Sequence, residues 1–317
     1  MQFDWLSDLS PALKAQESWH NGTYQQEGLF HVVYNSRRPF AISCGAGLLA
    51  DHLRKFRFSP DIITRMGQMM EGKGHNIFSE SFLNHLQRLR LRVDVWAPPE
   101  GMLLLPGEPL LIARGPVEQV LLLESAFKYL VWRSSQWATR IAAARWEMQN
   151  WKEEDTPVAP FTTNDFDGWK IRADYIGGAL ADDILDSIKE PSRLPDPEEG
   201  LVQIWSQKEG PLNHEIPLTQ IRRVYKGQEA LGDIWLTEEQ EEIASVSKTS
   251  ARMTDTRTGK VNVLRFTRFQ NLYQPVLVKG HPVLPNTRIS YLRQRTLKQL
   301  EAFHRAKLDK YHRGFVV

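Results

Sequence analysis

Hydrophobic positions along the chain recur with two periods. GLFHVVY is β-rich from Phe30 to Tyr34, and a second strand starts at Phe40, beyond a basic turn at Arg37-Arg38-Pro39. From Gly47 a helix is expected, because Leu48, Leu49, His52, Leu53 and Phe56 fall near the three-four spacing that turns one face to a sheet. PALKAQESWH reads as an earlier helix, entered at Ser7-Asp8 or Ser10-Pro11, with Pro11 suited to the first turn. SPDIITRMGQM starts another at Ser59-Pro60. In SESFLNHLQRLRL, Phe82, Leu83, His85, Leu86 and Leu89 lie on one stripe, and RVDVWAP alternates as a strand.

PPEGMLLLPGEPLLIARGP then sets two acidic-glycine turns around two short apolar runs, Met102 to Leu105 and Leu110 to Ala113. This predicts a tight β-meander. From Val117 to about Trp151 runs the longest helical signal. Val120, Leu123, Phe127, Leu130, Val131, Ser134, Ala138, Ile141 and Ala142 recur at helical spacing, with no proline before Pro157.

Beyond Trp151 the periodicity weakens. WKEEDTPVAPFTTNDFDGWK is acidic and turn-rich, ADYIGGALADDILDSI reads as strand, turn and helix, and KEPSRLPDPEEG as an exposed linker. Regularity returns in SKTSARMTDTRTGKVNVLRF, where Thr258-Gly259 turns a hairpin. NTRISYLRQRTLKQLEAFHRAKLDKYH closes the chain as a basic helix whose Arg and Lys residues form a solvated face.

Composition narrows the classes. With 40 Lys+Arg against 38 Asp+Glu, the net charge of +2 carries no electrostatic footprint for nucleic acid. Ten tryptophans and 14 phenylalanines supply core material. The single cysteine, Cys44, rules out an internal disulfide framework and a cysteine-cluster zinc site, so no metal centre is expected and a reducing, cytoplasmic compartment fits. No run reaches the roughly 18 apolar residues of a membrane span, and MQFDWLSDLSPALK carries acids where a signal peptide is basic. A soluble, unprocessed chain is the expectation.

Taken in order, LSDLSPALKAQ, GLFHVVYNSRRPF, GAGLLADHLRKFRFS, FLNHLQRLRLRVDVWAPPEG, LLLPGEPLLIARGP and LLLESAFKYLVWRSSQWATRIAAAR resemble the nicotinate phosphoribosyltransferase family, over about Leu6 to Arg145. The chain end, from VSKTSARMTDTRTG through the arginine-rich helix, is similar to the segment with which that family returns to its N-terminal lobe. The resemblance implies an α/β fold of three parts: an N-terminal α/β lobe over 1–150, a shortened, irregular barrel remnant or linker over 151–243, and a hairpin and basic helix over 244–317 that pack back on the lobe. It makes the acidic-glycine meander scaffold. A (β/α)₈ barrel takes about 200 residues or more, and Trp146 to Ile243 offers fewer than half of that, so the barrel is truncated or absent.

In the family the reaction joins a pyridine nitrogen to C1 of phosphoribosyl diphosphate. It needs cations for the leaving diphosphate, an arginine for the pyridine carboxylate and a stacking ring. The resemblance puts Arg37 and Arg38 at the basic turn that holds the phosphoribosyl donor, and Arg140 where the family carries lysine. Asp165, Phe166, Gly168 and Arg172 stand in a distorted version of the family's arginine strand, with Gly177-Gly178 beyond. The family's ribose loop, Asp-Ser-Gly-Asp, is not found, and His214 lacks the flanks of its phosphorylatable histidine. Ser10 replaces the expected aromatic, and Tyr129, Trp132 and Ser134 stand where amides are usual. These departures point to a catalytically degenerate relative acting as a binding or assembly subunit, in a homodimer or a larger complex. The alternative is an active nicotinate phosphoribosyltransferase, using phosphoribosyl diphosphate and Mg²⁺.

Overall fold

The sequence patterns resolve into helices with identifiable starts. The computed structural model describes residues 8–34, 39–54, 56–72, 74–149, 169–179, 201–207, 218–227, 229–237, 240, 249–256, 258–284, 287–305 and 311–316. Helix α1 (Ser10–His20) begins with Pro11 in its first turn, and Asp8 Oδ1 accepts the Ser10 amide at 3.0 Å. Helix α2 covers Ala46–Leu53. Ser59 Oγ caps α3 (Pro60–Gly67) and Ser79 Oγ caps α4 (Glu80–Arg88), each accepting an orphan amide of the first turn. Phe82, Leu83, Leu86 and Leu89 bury the α4 stripe against Ala12, Ala15, Leu121 and Leu122. His85 stays half-buried at its rim, with Nε2 2.9 Å from Glu118.

The long helical signal is realised in three pieces: α5 (Val117–Ala126), a π-helical segment (Phe127–Trp132) and α6 (Arg133–Met148). All of its predicted stripe is buried except the partly exposed Ile141. The π-helical segment meets the start of α2, where Gly45 has φ +95° and a Cβ would lie 1.7 Å from the Leu130 carbonyl oxygen. Only glycine permits that approach.

The strands are β1 (Glu27–Tyr34), β2 (Ala41–Ile42), β3 (Asp94–Ala97), β4 (Leu103–Leu104), β5 (Pro109–Pro116), β6 (Leu201–Gln207), β7 (Leu218–Lys226), β8 (Glu229–Thr237), β9 (Ser250–Asp255), β10 (Val261–Arg265), β11 (Arg268–Asn271), β12 (Gln274–Val278), β13 (His281–Pro282) and β14 (His312–Val316). One six-stranded sheet has the order β13-β12-β3-β5-β1-β6, a second β10-β9-β14-β8-β7-β11, and β2 pairs with β4 alone. Every described pair is antiparallel except β14 with β8. The largest core lies between the first sheet, α2 and the π-helical segment. Both large sheets are open in the described residues, and no barrel closes there.

Four expectations are corrected. The two apolar runs do not form a meander: β4 pairs Leu104 with Ala41 and Leu103 with Ile42, whereas β5 pairs with β1 and β3. Glu108 turns inward and its Oε2 accepts the Leu105 amide at 2.8 Å, so the chain leaves one sheet for another instead of doubling back. The start of ADYIGG is helical, within α7 (Trp169–Gly177), so Arg172 stands on a helix and not on a strand. The middle region, read as poorly periodic, contains the β7–β8 hairpin, paired from Leu218↔Thr237 to Lys226↔Glu229. The closing helix α8 (Ile289–Arg305) is not merely a solvated face: Arg293 is fully buried, its Nη1 donating to the Tyr175 carbonyl at 3.2 Å. The Thr258-Gly259 hairpin forms as read, with β9 against β10.

Candidate functional site

Arg172 reaches from α7 to the first acidic-glycine turn. Its Nη2 lies 2.5 Å from Glu100 Oε2 and its Nε 3.4 Å from Oε1, and both side chains are buried. Glu100 Oε1 also accepts the Gly45 amide at 2.6 Å, just before α2 begins, while Arg295 Nη1 donates to the Glu100 carbonyl at 2.6 Å. A helix N-terminus beside an arginine is a ready place for an anion. Here the chain's own carboxylate fills it. Burial works against the Arg172 charge, but Glu100 outweighs that and holds its pKa above the usual value. The neighbouring Cys44 thiol is pushed well up, by burial first and then by the Glu100 charge. Gly101, at φ +80°, lets α8 approach: a Cβ there would lie 2.3 Å from the Leu292 carbonyl oxygen.

A second buried knot forms at the other acidic turn. Arg223 grips Asp233 in a fork, Nε to Oδ1 and Nη2 to Oδ2 both at 2.8 Å, and its Nη1 donates to Leu103 O and Gln299 Oε1 at 3.0 Å each. Tyr311 donates to Asp233 Oδ1 at 2.9 Å. Glu108 is more distant, 3.9 Å from Arg223. With the fork taken by Asp233, burial and then the Asp233 charge prevail, and the Glu108 pKa stands well above 4.5. This knot joins β4, β7, β8, α8 and the segment before β14. Its Arg223, Asp233, Glu108 and Tyr311 groups are enclosed, which is the character of a structural tie.

The remaining charged arrangement follows the seam between α6 and α7. Arg133 lies over Tyr129 at 5.5 Å and over Trp169 at 5.2 Å, measured from the guanidinium carbon to each ring centroid. One turn further along, Trp137 carries Arg140 at 5.4 Å and Lys170 at 4.8 Å, and its indole N–H donates to Asp174. Cations stacked on aromatic faces keep their in-plane N–H groups available for an anion.

Of the residues suggested by sequence, Arg140 is exposed on this seam and Arg172 lies in the Glu100 knot; the two are not brought to one point. Arg37, Arg38, Asp165, Phe166, Gly168 and His214 lie outside the described residues. Ser10 is exposed at the start of α1, Trp132 and Ser134 are buried, and Tyr129 lies at the core's edge. Among the described residues no three His, Cys, Asp or Glu side chains gather where they could hold a metal ion. Sequence reasoning missed Glu100, Glu108 and Arg223. A signal was present for the two acids: each sits beside a glycine between apolar runs, where a solvated carboxylate is unexpected.

Residues 6–131 match the nicotinate phosphoribosyltransferase (NAPRTase) N-terminal domain. Nicotinate phosphoribosyltransferase 2 of Arabidopsis thaliana is 30% identical over 145 residues, 44% of this chain and 25% of the plant protein. The nicotinate phosphoribosyltransferase of Homo sapiens is 33% identical over 145 residues, 44% of this chain and 26% of that protein. The matched stretch thus spans about a quarter of those curated relatives. The crystal structure of human nicotinic acid phosphoribosyltransferase superposes with a TM-score of 0.68 at 14% identity, covering 98% of this chain and 97% of that one. Nicotinate-nucleotide pyrophosphorylase from Pyrococcus furiosus gives 0.54 at 11% identity, covering 93% and 94%. These two likenesses establish the fold.

Proposed function

We propose that the chain, whose N-terminal region matches the nicotinate phosphoribosyltransferase N-terminal domain, has kept that family's scaffold and lost its chemistry, acting as a binding or assembly subunit. The observation that carries this reading is the Arg172–Glu100 pair. An arginine that is to receive a pyridine carboxylate or a diphosphate must present free N–H groups. Arg172 instead spends them on a buried carboxylate that also holds the Gly45 amide. Releasing it for a substrate strands Glu100 in the interior, a cost of several kcal/mol. Of the suggested arginines that are described, only Arg140 remains exposed to meet a ligand, and it carries the alternative reading of an active transferase.

The three-part organisation, 1–150, 151–243 and 244–317, belongs to this proposal, with the first and last parts forming the scaffold. Calorimetric titration with nicotinate and phosphoribosyl diphosphate, singly and together, tests the reading. The expected result is no saturable heat in any of the three titrations. Cooperative binding of the pair, lost in Arg172→Ala, refutes it.

A further inference from the structure

We infer that Arg133 and Arg140, presented along the α6–α7 seam, are the docking site for an acidic helix of a partner protein. This rests on the binding-subunit reading and names the chemistry of the partner. The anomaly that motivates it is Arg133. Its guanidinium is held between Tyr129 and Trp169, its Nε is buried with no hydrogen-bond partner, and no carboxylate pairs with it among the described residues. Burial lowers its pKa, which marks a cation that has lost water without gaining an anion. Arg172 and Arg223, the buried arginines of the two knots, each hold a carboxylate, whereas the half-buried Arg133 holds none among the described residues.

The geometry selects the partner. Arg133 and Arg140 stand seven residues apart on α6, hence two turns along one face and about 10 Å along the axis. A second helix with carboxylates at i and i+7 has the same spacing, so both pairs form without bending either element. The rings occupy the flat faces of the guanidinium groups, leaving the edges that take a carboxylate two-pronged. Tyrosine, tryptophan and arginine together are also the composition of interface centres. Charge complementarity therefore commits the site to an acidic helix.

A labelled alanine-rich helical peptide with two glutamates seven residues apart is the probe, with its double-glutamine counterpart as control, both titrated into the full chain by fluorescence anisotropy at low salt. The glutamate peptide should bind at least tenfold more tightly than the control. Arg133→Gln should remove that preference, and Arg133→Lys, which keeps charge but not the fork, should keep part of it. Arg140→Gln sits at an exposed position and should also lose it with an unchanged melting temperature. Equal binding of the two peptides, or wild-type preference in both glutamine variants, overturns the site. So does competition by millimolar inorganic phosphate with the same Arg133 dependence, which would make it a small-oxyanion site. Failure here, with substrates still giving no heat, leaves the loss of chemistry standing.

Discussion

Glu100 and Glu108 follow similar glycine-containing turns and reach opposite solutions for a buried carboxylate. Glu100 is held by Arg172 and a backbone amide; Glu108 stands second to Asp233 beside a single arginine. Two predictions follow from that difference. Arg172→Met leaves Glu100 buried without its cation and should cost about 3–5 kcal/mol in urea unfolding. Adding Glu100→Gln should recover much of the loss, and a single variant as stable as wild type would show that the pair is solvated. For Glu108 the sign runs the other way from most carboxylates. Its pKa is raised in the fold, so its contribution is full below 4.5 and is lost as pH rises through the folded value. Glu108→Gln keeps an acceptor for the Leu105 amide and should flatten the fall in melting temperature above pH 4.5. A steeper fall would contradict the assignment.

Legibility differs among the elements, and for physical reasons. Helices α1, α3 and α4 were readable because a proline or a capping serine marks each start, and in α4 a three-four stripe marks the buried face as well. The β4–β5 relation was not, because two apolar runs around a turn look the same whether they pair with each other or with distant strands. What decides it is the inward Glu108, a contact that sequence spacing does not display. The β7–β8 hairpin was hidden by Arg223 and Asp233, charged residues at enclosed positions that break the expected alternation. Of the candidate site, Arg140 and Arg172 were legible as cations, but the side-chain partner that occupies Arg172 comes from a turn 72 residues away. Within the π-helical segment Leu130 is buried against the main core. Leu130→Ala should cost about 2–5 kcal/mol, through the lost transfer energy and the cavity left behind. A change of a few tenths in chemical denaturation would mean that the segment relaxes into the space.

At the scale of the whole molecule, the Arg223 knot ties β4 to the β7–β8 hairpin, to α8 and to the segment before β14. Among the described residues β10 is an edge strand of the second sheet, and it leaves Val261 47% and Val263 62% exposed, apolar side chains beside an edge open to pairing with another chain. We expect sedimentation at micromolar concentration to give a mass above the 36.6 kDa of one chain, and Val263→Lys to return it to that value. A single-chain mass throughout would remove β10 as the contact. On the proposed reading, the scaffold no longer performs the transfer. A stopped assay with nicotinate, phosphoribosyl diphosphate, Mg²⁺ and ATP, run with enzyme in excess so that one turnover is visible, measures it directly. The account predicts no nicotinate mononucleotide above the enzyme-free control; stoichiometric product that disappears with Arg172→Ala would contradict it.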